Sequence, residues 1–294
     1  MSAPDSDSYL STQGVDWQTV DRARYEVRQT LSYEYPGPIE DVHQLLMLVP
    51  ADRIGAQRLL GHHVEISPPA RPRYSSDSFG NRLCHIALPR VENRLEFAVT
   101  FRVERMAEEG IAVRDADEIS RFTVSSPLTE PSAALQALAH ELLRQAAGTA
   151  DLADDINGWV FGHIRYTKGV TGVRTTAQDV YELRQGVCQD YAHLMIALCR
   201  LARLPARYVS GHLLGEGAMH AWVQVLLPGS GGPDRWYAFD PTHGRRSGLS
   251  YITVAIGRDF GDVSPTRGSF RAPYGGQLAV GSKQAGVLML QKIP

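Results

Sequence analysis

A cysteine at the start of a long apolar helix is the feature that most constrains this chain. Residues 184–203 read RQGVCQDYAHLMIALCRLAR, in which Gly186 is a helix breaker and Cys188 follows shortly after it. Beyond Cys188, apolar residues recur at intervals of three and four, which predicts a helix with one buried stripe. The helix must end before Pro205, because the residue that precedes a proline avoids the helical region. The sequence therefore places Cys188 at the N-terminus of a buried helix.

The start of a buried helix favours thiolate chemistry. The first N–H groups of a helix have no intrahelical acceptor and carry a partial positive charge. This setting stabilises a thiolate relative to a thiol, and it supplies hydrogen-bond donors for a developing oxyanion. Cys188 is accordingly a candidate nucleophile. Cys199 falls within the apolar stripe and is predicted to be a core residue.

Composition excludes several classes of protein. The chain has 294 residues, of which 43% are hydrophobic and 21% charged, as expected for one large globular domain or two ordinary ones. A formal net charge of −2 offers no basic surface for nucleic acid or an anionic membrane. No run of about 18 apolar residues predicts a membrane helix, and the polar N-terminus lacks a signal-peptide pattern. Three cysteines without a disulfide framework favour reduced thiols, so a cytoplasmic location is expected.

Hydrophobic periodicity divides the chain into an all-β part and an α+β part. Residues 1–20 are predicted to be a disordered tail. An N-terminal antiparallel β-sandwich is expected over 21–125, because alternating segments such as 94–103 are separated by polar turns. A catalytic domain is expected over 126–275, with helices first and antiparallel strands second. Residues 276–294 carry no clear pattern and are predicted to be a C-terminal tail.

A hairpin in the second part offers a base and a partner for it. Segments 220–227 and 235–240 read as strands, and the loop between them is rich in Gly and Pro. If the pairing is centred on residue 230 of this loop, His220 and Asp240 are opposed at the open end of the hairpin. Opposed residues share a face, with Cβ atoms about 4.5–5.5 Å apart. A carboxylate at that distance can orient an imidazole through one nitrogen and leave the other nitrogen for a nucleophile.

These side chains predict a proton relay. His220 would accept the proton of Cys188 and later protonate a leaving amine, while Asp240 would fix the tautomer of the imidazole. A zinc site is the rival interpretation, since the same side chains are acceptable zinc ligands. However, no paired Cys-x-x-Cys or His-x-x-x-His spacing supports a metal, and no acidic loop resembles an EF-hand. We therefore predict a Cys-His-Asp triad with no metal and no cofactor.

The segments that carry this triad resemble those of a known family. GVCQDYAHLMIALCRLARLPARYVSGHL, AMHAWVQVLLP and WYAFDPTHG are similar, in that order, to the Cys, His and Asp blocks of the bacterial transglutaminase-like superfamily. LVPADRIGAQRLL and DSFGN resemble the all-β region that commonly precedes this core. The resemblance covers roughly residues 24–272.

The resemblance implies a papain-like α+β core in which Cys188 is the nucleophile, His220 the base and Asp240 the orienting residue. It also implies that Tyr166 lines the cleft. The backbone N–H of Cys188 is expected to bind the oxyanion. Either nearby glutamine side chain could assist it, and the sequence does not choose between Gln185 and Gln189.

A site of this kind would attack an amide carbonyl and form a thioester acyl-enzyme. Hydrolysis by water would make the protein a cysteine protease or amidase, whereas transfer to an amine would make it a transglutaminase. We expect hydrolysis, with transamidation as the alternative and a non-catalytic peptide-binding module as a third hypothesis. The expected partner is a peptide, a protein or another amide-containing molecule, and neither nucleic acid nor a membrane.

Overall fold

A computed structural model of the protein describes residues 9–113, 116–229, 231–275 and 277–292. In chain order the strands are β1 (Val20–Glu34), β2 (Ile39–Leu46), β3 (Arg53–Ile54), β4 (Gln57–Ser67), β5 (Arg73–Ser76), β6 (Arg82–Val91), β7 (Arg94–Met106), β8 (Ile111–Ala112), β9 (Arg165–Tyr166), β10 (Gln185–Gly186), β11 (Ala206–Leu213), β12 (His220–Gly229), β13 (Gly232–Asp240), β14 (Arg245–Arg246), β15 (Tyr251–Gly257), β16 (Thr266–Arg271) and β17 (Gln277–Lys292). The helices are α1 (Ala116–Arg121), α2 (Ala133–Gln145), α3 (Thr149–His163), α4 (Ala177–Leu183), α5 (Cys188–Leu201) and α6 (Phe260–Val263).

Two antiparallel sheets form the all-β part of the molecule. One has the strand order β17-β1-β7-β4-β3 and the other the order β16-β2-β6-β5. In β7 the inward residues alternate with outward ones as predicted, and Leu95, Phe97 and Val99 are buried. Buried residues of both sheets, such as Val27 of β1 and Ile86 of β6, belong to one hydrophobic core. The predicted class, antiparallel sheets followed by an α+β core, is confirmed.

The α+β part is built on a sheet that runs β14-β13-β12-β11-β15, with β8 paired to β13. Helix α5 packs against β11 and β12, and helices α2, α3 and α4 pack around α5. Helix α4 begins with a capping box, in which the hydroxyl of Thr176 accepts from the N–H of Asp179 and the Asp179 carboxylate accepts from the N–H of Thr176. Helices therefore surround one central helix that lies on a sheet.

Helix α5 is buried more completely than its sequence pattern predicts. Every residue from Asp190 to Arg200 is buried, including the polar side chains of Asp190, His193 and Arg200. The apolar stripe faces one direction, but neighbours on all sides cover the rest of the helix. A buried guanidinium needs hydrogen-bond acceptors. That of Arg200 donates to backbone carbonyls such as the carbonyl of Ala206, at 2.9 Å.

The two predicted tails belong to the folded structure where it is described. Strand β17 pairs along almost all of β1, from Glu34 with Gln277 to Val20 with Lys292, so the prediction of a C-terminal tail is wrong for 277–292. Strand β16 pairs with β2 and so completes the second all-β sheet. At the other end, Leu10 forms a bridge to Val287, whereas residues 1–8 of the predicted tail lie outside the described residues. These pairings join segments far apart in sequence, which local periodicity cannot reveal.

Among the described residues, none of the helices has both the length and the apolar character that crossing a membrane requires.

The close approach of β11 and β15 depends on Gly211. A Cβ added at Gly211 would stand 2.1 Å from the backbone oxygen of Ile252 and 2.6 Å from Cη2 of Trp222. We expect Gly211→Ala to lower the free energy of unfolding by about 1–3 kcal/mol, because the strands must separate to admit the methyl group. Urea unfolding measures this change. Gly61→Ala on β4, where nothing lies within 4 Å of the new Cβ, is the matched control. It is expected to be neutral or stabilising by up to about 1 kcal/mol, and equal losses in both variants would contradict the prediction.

Candidate active site

Helix α5 begins at Cys188, as the sequence predicts, and a buried carboxylate fixes its first turn. Oδ2 of Asp190 accepts hydrogen bonds from the N–H of Val187 and the hydroxyl of Thr171, each 2.7 Å long. Burial raises the pKa of Asp190, and these two donors oppose the rise. A Cβ added at Gly186 would stand 2.6 Å from the Cβ of Asp190, so the approach to the helix requires glycine. The half-buried Cys188 thus sits in a fixed position at the unpaired N–H groups of the helix start.

The hairpin of β12 and β13 brings His220 and Asp240 together in a register that differs from the predicted one. The ladder between the strands begins at Val223 with Phe239, so His220 is diagonal to Asp240 and not opposite to it. His220 itself pairs with Gly211 of β11. Nε2 of His220 nevertheless lies 2.8 Å from Oδ2 of Asp240. The contact forms because diagonal neighbours on one face of a sheet are within reach of a long side chain.

The thiol of Cys188 is among the groups that set the pKa of His220. Burial of the ring lowers the pKa of His220, but hydrogen bonds with Asp240, Cys188 and Glu216 raise it more strongly, from 6.5 to about 11. The ring of Trp222 stacks on the imidazole, with 6.2 Å between the ring centroids. His220 is therefore a cation at neutral pH.

Asp240 is fully buried and accepts hydrogen bonds on both carboxylate oxygens. Oδ2 accepts from Nε2 of His220 at 2.8 Å, from Nδ1 of His243 at 2.7 Å and from the hydroxyl of Tyr251 at 2.6 Å. Oδ1 accepts from the backbone N–H groups of Thr242, at 2.9 Å, and of His243, at 3.3 Å. Burial raises the pKa of Asp240, but these donors, His220 first, lower it to about 2. The carboxylate is therefore ionised at neutral pH.

Glu216, His243 and Tyr251 complete the surroundings of His220, and none of them is among the predicted site residues. Oε2 of Glu216 lies 3.2 Å from Nδ1 of His220, and its Oε1 lies 3.6 Å from Nε2 of His243. The hydrogen bond with His220 lowers the pKa of Glu216. The signal that could have found Glu216 and His243 is their closeness in sequence to His220 and Asp240. Tyr251 comes from β15 and carries no such signal.

A lysine of the last strand holds the loop that carries Glu216. Nζ of Lys283 donates to the carbonyl oxygens of Leu213, at 3.2 Å, and Ala218, at 3.0 Å. Leu213 ends β11 and Ala218 lies just before β12, so Lys283 joins the two ends of the loop. Burial lowers the pKa of Lys283 to about 8, and the negative charge of Glu216 opposes that shift.

The other predicted site residues lie near Cys188 but differ in their contacts. Strand β10, which contains Gln185, pairs in parallel with β9, which contains Tyr166. Tyr166 is 48% exposed, and its pKa is raised by burial of part of the ring and by the charge of Cys188. Nε2 of Gln189 donates to the carbonyl oxygen of Gly172 at 3.2 Å. The amide of Gln189 would have to leave that carbonyl before it could bind an oxyanion.

The residues able to hold a metal differ from those of the rival zinc interpretation. Asp240 is unsuited as a ligand, because its Oδ2 already accepts from three donors. Glu216, His220 and His243 instead offer ligand atoms that all lie within 4.8 Å of one another. The structure thus joins His220 to Asp240 and places Cys188 at the start of α5, and it adds a second carboxylate and a second imidazole beside His220.

The raised pKa of His220 makes the stability of the fold depend on pH. Folding raises the pKa of His220 from 6.5 to about 11, so the folded state binds this proton more tightly than the unfolded state does. The contribution of His220 to the unfolding free energy is therefore complete below about pH 6.5 and declines as the pH rises towards 11. The lowered pKa of Asp240 acts at the other end, and its contribution declines as the pH falls from 3.8 towards about 2. We expect the difference in unfolding free energy between the wild type and His220→Asn to shrink from about pH 6 to about pH 9.

Urea unfolding of both proteins across this range measures the difference. His163→Asn replaces an exposed histidine on α3 and is the control. Its unfolding free energy should stay parallel to that of the wild type at every pH. A parallel profile for His220→Asn would show that the His220 proton contributes nothing to stability.

Comparison with known proteins assigns both parts of the chain. Residues 136–241 match the core of the transglutaminase-like superfamily, and residues 25–104 match the bacterial transglutaminase-like N-terminal region. An uncharacterized protein of Mycobacterium tuberculosis is 27% identical over 273 residues, covering 83% of this chain and 87% of that protein. One from Mycobacterium leprae is 37% identical over 122 residues, covering 38% of this chain and 42% of that protein.

The fold also has a counterpart among crystal structures. The crystal structure of a provisionally named cysteine protease from Cytophaga hutchinsonii superposes on this structure with a TM-score of 0.79. The two share 22% sequence identity, and the match covers 93% of each chain, so the similarity concerns the fold. The two family matches show that this chain carries the core of the transglutaminase-like superfamily and the bacterial N-terminal region of that family.

Proposed function

We propose that the protein is a thiol-dependent enzyme that hydrolyses an amide or isopeptide bond through a Cys188 acyl-enzyme. The single observation that carries the proposal is the contact series from His220 to Asp240, with Cys188 at the start of a buried helix and its thiol among the groups that raise the pKa of His220. A thiol that has a cationic imidazole on one side and helix N–H groups on the other is activated for nucleophilic attack.

In the first half-reaction the thiolate of Cys188 attacks the amide carbonyl carbon. The carbonyl oxygen takes up the electron pair and is stabilised by backbone N–H groups at the start of α5. His220 then transfers its proton to the departing nitrogen, the C–N bond breaks, and a thioester remains on Cys188. In the second half-reaction His220 removes a proton from water as the water attacks the thioester, and the sulfur leaves as thiolate.

Asp240 has a positioning role in this scheme. It accepts a hydrogen bond from Nε2 of His220 and so directs the rest of the ring towards Cys188. Because Asp240 is itself held by Tyr251 and by the backbone of the Thr242–His243 turn, it is a fixed acceptor for the imidazole.

The exposure of the residues around the thiol favours water as the acceptor. Tyr166 is 48% exposed, and Val170 and Val173, on the loop that contacts the start of α5, are 45% and 62% exposed. Solvent can therefore approach the thioester from this side. A transamidase has to keep water away from its acyl-enzyme.

Transamidation is the alternative, and one observation favours it. The carboxylate of Glu216 lies 3.2 Å from Nδ1 of His220, and its side chain is 36% exposed. A negative charge at that position would attract a cationic amine to the side of the thioester that His220 faces. The amine would be deprotonated by His220 and would then replace water in the second half-reaction.

Intact-mass analysis of peptide products separates the two reactions. The reduced protein is incubated with glutamine-containing peptides, with and without cadaverine as the amine. We expect the peptides to be cleaved or deamidated at rates that cadaverine does not change, because water resolves the acyl-enzyme. Cys188→Ala is the control and should leave every peptide intact.

Incorporation of cadaverine at glutamine, dependent on Cys188, would replace hydrolysis by transamidation as the function. Peptides that remain unchanged in all reactions, but are retained by the protein in a binding assay, would favour the non-catalytic peptide-binding module.

Substitutions in the contact series should differ in severity. We expect Cys188→Ala to abolish acyl-enzyme formation. His220→Ala should reduce its rate almost as strongly, since the proton acceptor is lost. Asp240→Asn should retain roughly 10–100 times more activity than His220→Ala, because orientation of the imidazole is an assisting role. Initial rates on the best peptide measure the effect. Asp154→Asn, an exposed carboxylate paired with Arg246, should keep the full rate. Equal rates for Asp240→Asn and Asp154→Asn would contradict the role of Asp240.

A further inference from the structure

We infer that Glu216, His220 and His243 form an inhibitory binding site for Zn²⁺ at the mouth of the candidate active site. Inhibition rests on the thiol chemistry proposed above, whereas binding of the ion does not. The three side chains supply one carboxylate and two imidazoles, which is a donor set found in zinc sites that keep the fourth position open.

The spacing of the ligand atoms suits a tetrahedral ion. Zinc with bonds of about 2.0–2.1 Å places its nitrogen and oxygen ligands about 3.3 Å apart. Oε2 of Glu216 lies 3.2 Å from Nδ1 of His220, and Oε1 lies 3.6 Å from Nε2 of His243. All three side chains offer atoms within 4.8 Å of one another. Small rotations of the half-exposed Glu216 and His243 would complete the coordination.

Both imidazoles are already oriented for coordination. Oδ2 of Asp240 accepts from Nε2 of His220, at 2.8 Å, and from Nδ1 of His243, at 2.7 Å. Each ring therefore presents its other nitrogen to Glu216. A histidine that binds zinc through one nitrogen characteristically holds a carboxylate with the other, which fixes its tautomer and strengthens the bond to the metal. Here a single buried carboxylate provides that contact for two histidines.

The charge balance also fits a divalent ion. Glu216 and Asp240, whose carboxylate contacts both imidazoles, balance the two positive charges of zinc, and the imidazoles bind in their neutral form. Binding releases the proton that His220 carries, and the proton passes to the buffer. With zinc bound, Nδ1 of His220 is coordinated, so the base is not available for the amide.

Binding is tested on the reduced protein with Zn²⁺ alone by isothermal titration calorimetry, and with Co²⁺ by absorbance. We expect one ion per chain and the visible bands of tetrahedral cobalt. Glu216→Gln and His243→Ala should each weaken zinc binding by at least about 10-fold. His140→Ala, an exposed histidine on α2, is the matched control and should bind as the wild type does.

The inhibitory effect is measured by the rate at which iodoacetamide alkylates Cys188, each protein being compared with its own rate in the presence of a chelator. Zinc should slow alkylation in the wild type and in His140→Ala, and higher zinc concentrations should be needed in Glu216→Gln and His243→Ala. Absence of zinc binding, or equal affinity in all four proteins, would overturn the inference.

The two proposals fail separately. If Cys188 is alkylated rapidly but zinc does not bind, the zinc site is wrong and the proposed thiol chemistry is unaffected. If zinc binds with the expected dependence on Glu216 and His243, but Cys188 without zinc reacts no faster than free cysteine, the zinc site stands and the proposed chemistry fails.

Discussion

The buried charge of Asp240 is the constraint on which the candidate site depends. A carboxylate removed from water is tolerated only where donors replace the lost hydration. His220, His243, Tyr251 and the backbone of the following turn supply those donors. Because each of them must point inwards to satisfy one carboxylate, their positions are fixed by the same requirement. The positions of the side chains in the site, including the imidazole of His220, therefore follow from the need to stabilise one buried charge.

The helix that carries Cys188 is held by a second arrangement of the same kind. Its first turn is closed by Asp190, which accepts from Thr171 and from the N–H of Val187. The rest of the helix is covered by the sheet below it and by α2, α3 and α4 around it. Neither the thiol nor the imidazole can shift far without exposing a buried carboxylate. The position of the thiol thus depends on Asp190 and that of the imidazole on Asp240, and neither carboxylate takes a proton from the substrate.

The sequence predicted the elements whose signals are local. The helix beginning at Cys188, the two strands that carry His220 and Asp240, and the class of the fold all follow from periodicity, turns and capping residues. The register of the hairpin was predicted wrongly, because a centre placed inside a loop does not determine which residues pair. Glu216 and Tyr251 were missed because their roles arise only when a loop and a distant strand meet. The pairings of β16 and β17 were missed for the same reason, since their partners lie more than two hundred positions earlier.

The pairing of β17 with β1 has a consequence for the order in which the molecule is completed on the ribosome. Strand β1 emerges from the ribosome before its outer neighbour, because β17 lies more than two hundred residues further along the chain. Lys283, which joins the two ends of the loop holding Glu216, is made after Cys188, His220 and Asp240. Contacts between such distant segments also form slowly. A nascent chain accordingly possesses the thiol, the imidazole and the buried carboxylate before the loop beside them is secured, so the surroundings of the thiol mature after the thiol itself has been made.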